Sequence, residues 1–105
     1  MFAAIEDVGI EITAAGTTQA TATTVVNAIA YVETVASGTG VVLLAGNPGT
    51  SQTVYNAGAN PLKVYPPSGV SINQLSANTA ITLPANTGAI FKNVKSAKTI
   101  AILSA

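Results

Sequence analysis

The chain has 105 residues, with four lysines, no arginine, four carboxylates, no histidine, no cysteine and a net charge of zero. These counts exclude disulfides and thiolate chemistry, the usual general base near neutral pH and a two-bonded arginine grip on phosphate. Zero net charge also argues against nucleic acid or an anionic membrane as the main partner.

Charged residues make up 8 % of the chain, against about 25 % in an ordinary domain. Neutral residues, 19 Ala and 14 Thr among them, must therefore cover much of the surface. Low charge of this kind favours self-association, so partner subunits are expected to cover part of it. The length predicts one domain, residues 1–105. The start, MFAAIEDVGIE, lacks a basic segment followed by an apolar run, so no targeting signal is expected and synthesis is placed in a cytoplasm. No stretch reaches 18 apolar residues, so no membrane span is expected.

In chain order, VGIEITA (8–14) alternates Ile10 and Ile12 with Glu11 and Thr13, the period of a half-buried strand. AGTTQATATT (15–24) reads as an extended arm or a strand with a polar face. VVNAIAYVETV (25–35) holds helix-favouring alanines, but its β-branched and aromatic residues predict a strand. SGTG (37–40) is a turn, VVLLA (41–45) a buried strand and GNPGTS (46–51) a loop.

QTVYN (52–56) and LKVYP (62–66) flank AGANP at hairpin spacing, with Gly58 expected to take the left-handed conformation. VSINQL (70–75), TAITLP (79–84), GAIFKNV (88–94) and TIAILS (99–104) follow. Turn signals every 8 to 12 residues predict an all-β domain, a compact jelly-roll-like sandwich or barrel of about eight short antiparallel strands. Residues 1–15 form an N-terminal arm or strand on this reading. Ala-Asn recurs at 59, 77 and 85, which reads as repeated turn chemistry and not as a solenoid period.

The search for chemistry returns little. Glu6, Asp7 and Glu11 read as a solvated face, because neighbours on a strand point to opposite sides. No histidine is present to activate a serine or threonine, and the glycine-rich pieces lack the lysine and spacing of a phosphate loop. No metal, cofactor or catalytic group is assigned, and no enzymatic activity is expected. Tyr31, Tyr55 and Tyr65 suit a core or a subunit interface, or else a sugar-stacking platform in which Tyr55 and Tyr65 share a hairpin face. In YPPSG, Pro66 must end a strand or lie at an edge. Pro67 is expected at the second position of a β-turn with Gly69 at its fourth, making a stiff hairpin between LKVY and VSIN.

One longer pattern stands out: Asn56, Gly58, Leu62, Val64, Tyr65, Pro66, Gly69, Ile72 and Asn73, preceded by AGTTQATAT and GTGVVLL. It resembles a run found in small β-rich virion proteins of tailed bacteriophages, over roughly residues 15–92. The resemblance implies a capsid decoration (cement) protein on the head surface, a homo-oligomer, expected to be a trimer, bound to the major capsid protein. A tail or head-fibre subunit and a carbohydrate-binding module are the alternatives. Tyr55, Tyr65, Pro66, Pro67 and Asn73 are the expected subunit or capsid contacts. Departures from the pattern include VLLAG after Gly40-Val41, where such proteins often carry Arg-Leu-Pro.

Overall fold

Successive strands of this chain alternate between two sheets, and only the last two pair with each other. The computed structural model describes residues 7–104. Its ten strands are β1 (Val8–Thr13), β2 (Thr23–Thr24), β3 (Ile29–Thr34), β4 (Gly40–Val42), β5 (Ser51–Asn56), β6 (Leu62–Tyr65), β7 (Ser71–Ile72), β8 (Ile81–Leu83), β9 (Thr87–Lys95) and β10 (Lys98–Leu103). One sheet runs β1-β3-β5-β9-β10-β7 and the other β2-β4-β6-β8. Among the described residues there is no helix, so the all-β expectation holds.

The first six strands form a solenoid-like stack. β1, β3 and β5 are parallel neighbours in one sheet, and β2, β4 and β6 are parallel neighbours in the other. Val8 faces Ile29 and Ile29 faces Thr53, while Thr23 faces Val41 and Val41 faces Val64. Each turn of the chain therefore consumes between 18 and 24 residues, a repeat too uneven to show as a fixed period. The antiparallel strands come afterwards: β8 closes on β6, β9 on β5 and β10 on β9.

This arrangement corrects the expected antiparallel jelly roll. Parallel neighbours need a long crossover between them, and here the crossover is a strand of the opposite sheet. Short loops that suggested hairpins are corners between sheets. QTVYN and LKVYP are the clearest case, since β5 and β6 lie in different sheets. LKVY and VSIN likewise form no hairpin, because β6 and β7 are also in different sheets. Of the two readings of residues 1–15, an arm or a strand, Val8–Thr13 takes the strand, as the edge strand β1; residues 1–6 lie outside the described residues.

The core lies between the sheets. Ala30 and Val32 of β3, Val54 of β5, Val41 of β4, Leu62 and Val64 of β6, Leu83 of β8, and Ala89 and Phe91 of β9 are all buried there. Ile12 packs at its margin, but Ile10 does not share its face. The register from Gly9↔Ala30 to Ile12↔Val32 leaves an extra residue in β1, and Glu11 takes φ 57°. This bulge turns Ile10 to solvent, 64 % exposed, and Glu33 Oε2 accepts the Glu11 N–H at 2.8 Å. A bulge on an edge strand discourages further pairing.

Candidate association surface

The residues of the Asn56–Asn73 pattern turn out to be the chain's folding corner. Asn56 is fully buried. Its Nδ2 donates to the carbonyls of Asn60 (2.8 Å) and Leu83 (2.9 Å), and its Oδ1 accepts the Gly58 N–H at 2.9 Å. One amide thus holds the 56–60 corner together and ties it to β8. Gly58 is required for space and not for a left-handed φ: a Cβ there would lie 2.7 Å from Val35 Cγ2. Asn60 Nδ2 donates to the Val35 carbonyl at 2.9 Å, closing the same corner from the other side.

The YPPSG corner buries its first three residues and exposes Ser68 and Gly69. β6 ends at Tyr65, as the missing N–H of Pro66 requires. The turn is one residue later than expected: the Val70 N–H reaches the Pro67 carbonyl at 3.0 Å, and Gly69, at φ 83°, takes its third position. Pro66 and Pro67 are buried. The Pro66 carbonyl accepts Gln19 Nε2 at 2.7 Å, and Asn78 Oδ1 accepts both Gln19 Nε2 (3.1 Å) and the Gly69 N–H (2.6 Å). Tyr65 is 8 % exposed, and its hydroxyl donates to the Thr17 carbonyl at 3.0 Å. Asn73, at φ 53°, accepts the Ala101 N–H on Oδ1 at 2.9 Å, and its carbonyl accepts Lys98 Nζ. Of the five expected contact residues, only Tyr55 and Asn73 keep surface outside the core.

Tyr55 and Tyr65 do not share a face. Tyr55 pairs with Tyr31 instead, on adjacent parallel strands, with ring centroids 5.7 Å apart and planes 6° apart. The pair lies on the outer face of the six-stranded sheet beside Gly88, where a Cβ would stand 2.9 Å from Tyr55 Cδ1. An open, almost wholly apolar depression of about 320 Å³ adjoins it over Gly88, Ile90 and Ile102.

The same face carries a feature that the sequence reading did not assign. Val8, Ile29, Thr53, Ile90 and Ile102 are successive register partners across five strands. Val8 and Ile102 are each 52 % exposed and Ile90 is 39 % exposed. Only Glu33 and Lys92 bring charge to the outward positions of β3, β5 and β9. A signal for it existed: GAIFK and TIAIL are apolar at consecutive positions, and a strand apolar on both faces reads as covered on both.

A second concavity, about 240 Å³, lies between Leu44, Gln52, Asn93 and Phe91. Its amides are occupied within the chain. Gln52 Nε2 donates to the carbonyls of Val25 (2.9 Å) and Asn27 (3.1 Å), and its Oε1 accepts the Leu44 N–H at 2.9 Å. Asn93 Nδ2 donates to Thr50 Oγ1 and Asn93 Oδ1 accepts Thr99 Oγ1, both at 2.7 Å. Such groups fasten the 44–51 loop and offer little to a ligand. Among the described residues, no cluster of His, Cys, Asp or Glu could hold a metal ion, and no buried side-chain polar atom lacks a hydrogen-bond partner. No protein-family model, curated protein or solved structure matches the chain.

Proposed function

We propose that this chain is a non-enzymatic structural protein of a tailed-phage virion, a decoration protein that binds the assembled head and stabilises it. The observation that carries the reading is the outer face of the six-stranded sheet, where a row of aliphatic side chains and a tyrosine pair lie open to solvent. A contiguous apolar surface of this kind marks an interaction site, as expected of a subunit that works in many copies on a particle. The side-chain amides of Gln19, Gln52, Asn56, Asn60 and Asn93 are meanwhile engaged in corners and loops. The resemblance of the Asn56–Asn73 run to virion proteins supports the choice of particle, and the low charge suits a chain that works in contact with copies and neighbours. Stabilisation follows from mass action, because a chain that binds only the assembled shell shifts the balance toward that shell.

Mass spectrometry of purified particles, followed by a cryo-EM map, tests the reading. Density for this fold on the head shell is the expected result. Density confined to the tail or portal vertex replaces it with a tail or fibre subunit, and absence from the particle overturns both.

A further inference from the structure

We infer that the outer face of the six-stranded sheet is where two copies of this chain pack against each other, as an isologous pair related by a two-fold axis. The inference holds whether or not the chain sits on a capsid, because it rests on the face alone.

The apolar side chains lie in one row, with Thr53 as the polar member at its centre. The row from Val8 to Ile102 crosses β1, β3, β5, β9 and β10, and the Tyr31–Tyr55 stack adjoins it one step along the strands. A two-fold pair uses one patch twice, whereas a ring of three needs two different patches on each copy. One such row therefore fits a pair better than the trimer that the sequence resemblance implies. The size is sufficient. The whole outer face, five strands about 4.8 Å apart and six residues long at about 3.3 Å each, spans roughly 500 Å² per copy, or about 1,000 Å² for the pair, with the apolar row and the tyrosine pair in its middle and Glu33 and Lys92 at its ends. That meets the lower bound of about 1,000 Å² for a specific interface. Aligned face-to-face packing is also how exposed sheets ordinarily bury such rows.

Charge placement agrees. Glu33 points outward at the far end of β3, beyond Tyr31, while Lys92 points outward at the opposite end of the sheet, paired with Ser51. If strands run antiparallel across the interface, the acidic end of each copy lies over the basic end of the other. A net charge of zero leaves no overall repulsion to oppose the pairing.

Two substitutions in the row, Ile90→Lys and Ile102→Glu, are made separately, with Thr82→Lys on the exposed position of β8 in the other sheet as control. Sedimentation velocity over a wide concentration range reads the mass, and circular dichroism confirms that each variant folds. The wild type and Thr82→Lys are expected to form a reversible dimer, and each row variant to raise its dissociation constant at least tenfold. Because the chain has no cysteine, Thr53→Cys supplies an independent reading. Thr53 is the middle member of the row, so a bifunctional thiol-reactive cross-linker spanning the roughly 10 Å between packed sheets should link two copies through it, while Thr82→Cys should not link. A wild type that stays monomeric at high concentration overturns the inference. So does a trimer, or a dimer that both row variants leave intact.

Discussion

Tyr31 and Tyr55 stand one above the other on parallel strands, 5.7 Å between ring centroids and 6° from coplanar directions. The stack depends on what is missing beside it, since a side chain at Gly88 would meet the Tyr55 ring at 2.9 Å. A double-mutant cycle of Tyr31→Leu and Tyr55→Leu in urea unfolding should give a coupling of about 1 kcal/mol, the usual range for an aromatic pair beyond its buried area. Gly88→Ala should displace the Tyr55 ring and reduce that coupling toward zero. Additive single-mutant effects would show that the rings stack without stabilising each other.

Asn56 is expected to be the most sensitive polar position. Asn56→Ala leaves two carbonyls and one N–H without their side-chain partner around a side chain that is itself fully buried. The loss should be about 3 kcal/mol, since each unsatisfied buried group costs about 1–3 kcal/mol and relaxation offsets part of it. In a domain of this size that corresponds to a fall in Tm of more than about 10 °C. A change under about 1 kcal/mol in chemical unfolding would mean that the corner reorganises freely.

Gly58 and Gly69 should fail for different reasons, which one replacement separates. At Gly69 there is open space and φ is 83°, so Gly69→Ala should cost about 1 kcal/mol and Gly69→Asn less, because asparagine tolerates the left-handed region. At Gly58 the obstacle is Val35, with Cγ2 at 2.7 Å and Cβ at 2.8 Å. There Asn should be at least as damaging as Ala, both costing about 1–3 kcal/mol by overpacking. Thermal melts of the four variants check the pattern, and a milder effect of Asn at Gly58 would contradict the steric reading.

Amide hydrogen exchange should grade the six-stranded sheet from its centre. β5 is paired on both sides, by β3 and β9, and Val54 is fully buried. β1 is an edge strand interrupted by the bulge at Glu11. The β5 amides are expected to exchange slowest and those of β1 fastest among the long strands. Equal protection in both would mean that the stack opens as one unit.

Several local features were legible in the residues themselves. The strands at 29–34, 62–65, 87–95 and 98–103 follow from β-branched and aromatic runs between turn clusters. Asn78 and Asn86, second members of Ala-Asn pairs, take φ 68° and 63°, and Pro66 ends its strand. The misreadings share a cause. Spacing between strands reports that the chain turns, and a loop of the length of AGANP serves a hairpin or a corner between sheets equally well. What decides is whether Asn56 can gather Asn60, Gly58 and Leu83 around one amide, and Leu83 is 27 residues away.

The sequence by itself determined an all-β chain with little charge and turns at nearly every predicted place. Those properties depend on residue type and near neighbours, where sterics and propensity act. Only the tertiary structure decided that the first strands stack in parallel, that Tyr65, Pro66 and Pro67 are buried in the fold, and that Val8, Ile29, Ile90 and Ile102 fall in one row. Each of these depends on register between strands far apart in the chain, and register is set by which faces bury together in the core.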